Sequence, residues 1–262
     1  LGTTCAQAIS VVISLCMIIR QRKEFSLSRK DFRLSHNIMG QILKIGIPIA
    51  LQDGFIQVAF MIITIIANQR GLNDAAAVGI VEKIISFLFL IPSSMLSTVS
   101  ALGAQNIGAG KRQRANETLR YAVMITVGFG IIVGIFMQFF ASPVVALFTD
   151  PSDASGAEVV RLGGQYLRGY VWDCMFAGIH FSFSGYFCAC GKSGISFLHN
   201  IIAITLVRIP GVYLTSTLFP DTLFPMGLAT AAGSLLSAII CVVAFTILNR
   251  KERQKCTSVS LQ

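Results

Sequence analysis

The sequence predicts an all-α membrane protein of about seven transmembrane helices. Three observations carry that expectation. Hydrophobic residues make up 54% of the 262-residue chain and charged residues only 13%, where a soluble domain carries about 25% charged residues. The apolar residues gather in runs long enough to cross a hydrocarbon core roughly 30 Å thick. The basic residues, which give a net charge of +9, sit in short connections between those runs. That pattern belongs to membrane topology and not to nucleic-acid binding.

The runs are Gly2 to Ile19, Ile45 to Ala67, Ala75 to Leu102, Tyr121 to Phe140, Gly169 to Ala189, Phe197 to Leu218 and Gly227 to Leu248. Basic residues fill alternate connections. Arg20, Arg22, Lys23, Arg29, Lys30, Arg33 and Lys44 follow the first run, and Lys111, Arg112, Arg114 and Arg120 follow the third. Lys192 follows the fifth; Arg250, Lys251, Arg253 and Lys255 follow the seventh. The other connections hold Arg70, Arg161 and Arg168 beside Asp74, Asp150, Asp153, Glu158 and Asp221. The positive-inside rule puts the basic side, rich in arginine and lysine, in the cytosol. The first helix then enters from outside, and the carboxyl tail, 249–262, ends inside.

Just ahead of the fifth run, Glu158, Arg161, Gln165 and Arg168 share a helix face a turn or two outside the core. Tyr166, Tyr170 and Trp172 are expected to mark the outer lipid interface, where aromatic rings settle. The seven cysteines have no C-x-x-C or zinc spacing, so Cys5, Cys16, Cys174, Cys188, Cys190 and Cys241 read as buried free thiols, with Cys256 in the tail. No tightly bound metal and no cofactor is expected. Gly191-Lys192-Ser193 only imitates a phosphate loop, since Tyr186 takes the first glycine's place and a membrane helix precedes it, and Gly108-Ala109-Gly110-Lys111 lacks the following Ser or Thr.

Ionisable side chains inside the hydrocarbon cost roughly 2.5–3.5 kcal/mol each on insertion scales, so they face cavities or partners. Asp53, Gln57, Thr64 and Asn68 recur at helical spacing and make one face of the second helix polar. Such a stripe lines either a water-filled cleft or an interhelical hydrogen-bond network. Glu82 and Lys83 point about 100° apart and cannot share a site. Arg208, two residues before Pro210, is a structural charge partner for Glu82 or Asp173. Asp53, Glu82 and Asp173 oppose Lys83 and Arg208, and the one carboxylate left over, protonated or balanced by a cation, would suit an ion-coupled transporter. His180 reads either as a proton relay or, more simply, as a histidine bonded to a neighbouring helix. Pro48, Pro92 and Pro210 lie inside runs and should bend them, as transporters do near their sites.

Three segments resemble the MATE family of multidrug and toxic-compound extrusion transporters. The first is Gly46-Ile47-Pro48-Ile49-Ala50-Leu51-Gln52. The second is Ala104-Gln105-Asn106-Ile107-Gly108-Ala109-Gly110-Lys111 followed by Arg114-Ala115, and the third is Arg208-Ile209-Pro210. The resemblance implies that 45–248 form a six-helix carboxyl-terminal lobe and 1–19 the last helix of an amino-terminal lobe that is missing here. The stretch 20–44 would be a basic cytosolic linker between lobes. It also implies a multi-pass protein of the bacterial inner or plasma membrane, whose partners are the bilayer, the other lobe and a small-molecule substrate. Such a protein exports lipophilic, cationic compounds in exchange for Na+ or H+, and it is not an enzyme. One sodium-coupled branch of the family has Phe-Glu-Val where this chain has Phe55-Ile56-Gln57-Val58, with its acid instead at Asp53, and other branches carry the essential carboxylate in the amino-terminal lobe.

Two other readings fit part of the pattern. A lipid-linked or polysaccharide flippase shares the two-lobe plan. A seven-helix receptor matches the helix count, but no Asp-Arg-Tyr follows the third helix and no Asn-Pro-x-x-Tyr closes the seventh.

Overall fold

The computed structural model describes residues 2–20 and 35–259. The basic connection expected over 20–44 therefore lies largely outside the described residues. The elements are α1 (Gly2–Arg20), α2 (His36–Arg70), α3 (Leu72–Leu88), α4 (Leu90–Gly108), α5 (Arg112–Ala146), α6 (Ala154–Tyr170), α7 (Asp173–Ala189), α8 (Ser193–Ala203), a π-helical turn (Ile204–Arg208), α9 (Ile209–Leu218) and α10 (Phe224–Val259). The chain divides into two compact units, Leu1–Leu43 and Lys44–Gln262. The first holds α1 and the opening turns of α2, with exposed apolar residues such as Ile9, Val12 and Leu15. The second is a helical bundle.

Where the sequence shows single apolar runs, the bundle has longer and less regular rods. α2 begins at His36, nine residues before its apolar run, and continues through Pro48 without a break. The third run is two helices meeting at Phe89. Pro92 lacks the N–H that would bond the carbonyl of Leu88, so the ladder fails there. The fifth rod starts at Ala154 and tightens at Val171–Trp172, where Cys174 bonds back to Val171 at 3.0 Å. The sixth accommodates Pro210 by widening into the π-turn, and Ile209 N–H bonds the carbonyl of Ile204. Such single wide turns recur at functional positions in helices.

Among the described residues, five rods are long and apolar enough to span a membrane: α2, α3–α4, α5, α8–α9 and α10. The α6–α7 rod is not among them: each of its helices has 17 residues, and α6 carries Glu158, Arg161, Gln165 and Arg168. Its position explains the tolerance. α6 packs on α3, α5 and α10, and α7 packs on α4, α5, α8 and α10, so this rod is the bundle's centre and little of it meets lipid. The lipid-facing surface belongs to residues such as Ile132, Phe139, Leu206 and Ile239, which stay exposed. Inside, small and polar residues such as Ala67, Ser182 and Ser237 pack beside large ones such as Ile63, Leu167 and Tyr186.

Close approach of α6 and α10 depends on two glycines. A Cβ on Gly169 would lie 2.5 Å from the carbonyl of Phe224, and one on Gly227 would lie 2.5 Å from that of Tyr166. The loops that imitate phosphate cradles are helix ends. Gly110 and Gly191 adopt φ of 73° and 68°, and the following Lys111 and Lys192 N–H groups bond Asn106 and Phe187 carbonyls at 2.8 Å. These are paired glycine C-caps.

Two interface expectations change. Tyr166 and Tyr170 are fully buried within the bundle and do not face lipid head groups; Trp172 is partly buried. Among the cysteines, Cys174, Cys188 and Cys241 are buried and Cys190 partly so, but Cys5 and Cys16 are exposed on α1. The side chain of Cys256 lies outside the described ones.

Candidate functional site

A cavity of about 220 Å³ opens where the rods deviate from straightness. Phe89 at the α3–α4 junction, Asp173 just after the tightened turn, and Arg208 at the end of the π-turn all line it. Ile56 and Phe60 of α2 close one side. Interrupted membrane helices expose backbone and polar side chains at depth, and transporters use them to build binding sites.

Arg208 is the centre of the charged wall. Its guanidinium stands 3.5 Å from Asp173, donates to the Tyr170 hydroxyl at 2.9 Å, and lies over the rings of Phe60 and Tyr170 at 5.1 and 5.9 Å. Aromatic faces and a phenol oxygen thus share the guanidinium with the carboxylate. A charge-assisted pair at optimum separation is nearer 2.7–2.9 Å, so the Asp173 contact is loose. Gly233 on α10 makes room for this side chain, since a Cβ there would sit 2.8 Å from that of Arg208. Of the two carboxylates offered as partners for Arg208, Asp173 makes the ion pair. Glu82 is half-buried, bonded by Thr64 at 3.4 and 3.5 Å, and within electrostatic reach of Arg208. Lys83 is exposed and turned from it, as adjacency requires.

The polar stripe on α2 is split. Thr64 joins Glu82, while Asn68 bonds the Thr64 carbonyl in its own helix at 2.9 Å. Asp53 and Gln57 are exposed and are not among the cavity's lining residues. Only the Thr64–Glu82 contact fits an interhelical network. His180 lines the cavity, and its Nδ1 has no protein hydrogen-bond partner. The histidine that does bridge helices is His199, 3.0 Å from Ser184 and 2.6 Å from Ser237, with its ring edge-on to His180 at 5.7 Å.

His199, Asn200 and Ser234 escaped the sequence reading, and Tyr170 is expected from the sequence at the lipid interface and not at a site. His199 and Asn200 sit in an ordinary apolar run, and only their burial against other helices separates them from lipid-exposed neighbours. Their signal was weak but present: two consecutive polar residues in a membrane helix. Among the described residues, no three His, Cys, Asp or Glu side chains gather as metal ligands.

Away from the membrane, Arg161 bonds Glu158 at 2.7 and 2.9 Å and holds its carboxyl below the usual range. Ser152 does the same for Asp150. Gln165 instead accepts from Thr222 and Leu223, and Arg168 bonds the Gln138 carbonyl and Ser142, so the α6 face serves three different neighbours. Arg70 makes a clasp at the same end of the bundle. It pairs with Asp74 at 2.9 Å and donates to the carbonyls of Ser216, Phe219, Pro220 and Thr222 at 2.6–3.4 Å.

Comparison with known families decides what this bundle is. Residues 48–214 match the family model MatE. The chain belongs to the MatE family. Its members are transporters, not enzymes. The relatives include a probable multidrug resistance protein NorM of Halalkalibacterium halodurans, 21% identical over 81% of this chain and 45% of that protein. Another is the probable multidrug resistance protein YpnP of Bacillus subtilis, 26% identical over 82% and 47%. The multidrug export protein MepA of Staphylococcus haemolyticus is 24% identical over 100% and 56%. The chain thus spans about half the length of these relatives. Among solved structures, a MATE protein in complex with MaL6 superposes with a TM-score of 0.81 at 18% identity, over 92% of this chain and 55% of that one. The bent form of the Vibrio cholerae MATE transporter VcmN gives 0.78 at 18%, over 94% and 54%. The MatE fold is therefore that of an all-α membrane transporter.

Proposed function

We propose that this chain is the carboxyl-terminal lobe of a secondary antiporter, preceded by the last helix of an amino-terminal lobe and a basic linker. The whole protein would export lipophilic, cationic compounds in exchange for Na+ or H+. One observation carries the reading most: the buried charges of a MatE-family bundle collect at a cavity where three rods are interrupted. A purely structural ion pair has no need of such a cavity. The multidrug relatives support export as the direction of transport.

In this reading Asp173 and Glu82 hold positive charge in turn, with Thr64 and His180 beside them. Asp53, Gln57 and Asn68 line the cleft that the other lobe would close. Arg208 balances Asp173 while the site is empty. Alternating access follows from rocking one lobe against the other around this level, and the basic connections and the carboxyl tail lie in the cytosol.

The test is transport by the full-length protein carrying this chain, reconstituted in proteoliposomes with a cationic dye inside. An imposed inward Na+ or H+ gradient is expected to drive dye efflux, and a gradient of the opposite sign is expected to stop it. Dye movement indifferent to both gradients would end the antiport reading. Headgroup translocation of a labelled lipid, without dye efflux, would replace it by the flippase.

A further inference from the structure

Among the residues lining one cavity, five buried side-chain atoms make no hydrogen bond of good geometry to protein: both carboxylate oxygens of Asp173, Nδ1 of His180, Nδ2 of Asn200 and Nε of Arg208, with Asp173 keeping only its 3.5 Å ion pair to Arg208 and a weak interaction with Ser234. The four residues are 0%, 4%, 5% and 7% exposed. A buried donor or acceptor left unmade keeps its full desolvation penalty, which is larger when the group is charged. Four such residues converging on one space is the pattern of a built polar subsite, whose unsatisfied groups are met by a ligand.

The chemistry of the unmet groups is mixed. Asp173 offers two acceptors and negative charge; Arg208 and Asn200 offer donors, one of them cationic. A simple cation satisfies only the first, and a simple anion only the second. The cavity is also lined by the aromatic rings of Phe60, Phe89 and Phe181, with Phe60 against the Arg208 guanidinium. At about 220 Å³, the cavity is smaller than the roughly 300–1,000 Å³ that holds a drug-sized ligand.

We propose that this cavity binds a small zwitterion with an apolar body, of the size and kind of an aromatic α-amino acid. The ligand's ammonium group sits on Asp173, its carboxylate takes the Arg208 Nε–H and Asn200 Nδ2–H, and its ring lies against the phenylalanines. The loose 3.5 Å ion pair is where the two ligand charges insert. The proposal rests on the transporter reading and narrows its substrate class at this site from cations in general to zwitterions.

Three probes of one skeleton separate the possibilities: L-phenylalanine, 2-phenylethylamine without the carboxylate, and 3-phenylpropionate without the ammonium. Binding is measured by calorimetry and thermal shift on the purified full-length transporter in detergent. L-Phenylalanine is expected to bind at least about tenfold more tightly than either single-charge analogue, the factor expected for losing one charge-assisted hydrogen bond. Arg208→Lys and Asn200→Val should each weaken it by a similar factor. Asn200→Val is the control for folding, because removing a donor without a protein partner should leave the ligand-free melting temperature equal or higher. Equal binding of the amine, no binding of any probe, or zwitterion binding that survives both substitutions would each overturn the proposal. Dye efflux is measured in parallel. Efflux without zwitterion binding sinks this inference alone, and zwitterion binding without gradient-driven efflux sinks the cation-antiport reading alone.

Discussion

Arg208 shows how one residue sets the stakes inside a membrane bundle. Its charge is met by Asp173, a phenol and two ring faces, all from other helices. Removing one member of a buried pair strands the other and typically costs about 3–5 kcal/mol. Arg208→Met in the full-length protein is therefore expected to lower thermal stability by that order, and Arg208→Met with Asp173→Asn by distinctly less. Equal losses in single and double variants would mean that packing and not charge holds the site. Asp53 is different, being exposed in this chain. Asp53→Asn should abolish gradient-driven efflux by the full-length protein without lowering its membrane level; unchanged transport would remove it from the mechanism. The Glu158–Arg161 pair makes a contrast. Because pairing lowers the Glu158 carboxyl, its contribution is present above about pH 4.3, the free glutamate value, and is lost as pH falls further. Both side chains are 40% or more exposed, so Glu158→Gln should shift stability by no more than about 1 kcal/mol.

At the scale of elements, hydropathy made the rods legible and left their breaks implicit. Each spanning run was visible because lipid demands about 20 apolar residues in a row. Pro92 and Pro210 announced that the third and sixth rods would not be regular, but not that one would part at Phe89 and the other would widen over Ile204–Arg208. The turn at Val171–Trp172 had no proline to announce it. Gly169 and Gly227 carried no periodic signal either, because a glycine's role depends on what approaches it. Gly169→Ala is expected to destabilise the bundle by about 1–3 kcal/mol through overpacking, read as a lower unfolding temperature of the purified protein. The same change at Gly194, which faces open space, should be tolerated. The Arg70 clasp ties the end of α2 to the α9–α10 connection. Arg70→Gln should cost about 1–3 kcal/mol and speed amide exchange over 216–223; unchanged exchange there would show that the connection is held by other contacts.

For the molecule as a whole, the length of the relatives matters as much as the fold. The chain covers about half of each. If transport rocks two lobes about a shared cleft, this chain alone should insert into a membrane yet fail to move dye across it. Efflux by the isolated chain in proteoliposomes would show that its own cavity suffices. In the proposed two-lobe protein, the exposed Asp53 and Gln57 would belong to the face turned toward the second lobe.

What the sequence by itself determined is the solvent: apolar runs separated by basic connections can satisfy their backbone only as helices in lipid. It also determined the family, through short segments such as Ala104–Lys111 and Arg208-Ile209-Pro210. The tertiary structure alone decided which polar residues meet. Asp173 and Arg208 are 35 positions apart, and Asn200 and His180 reach the same space from different rods. Hydropathy reports how a residue partitions between water and lipid. It carries no information on which helix lies across the interface, and that packing made a site from charges that the sequence could only enumerate.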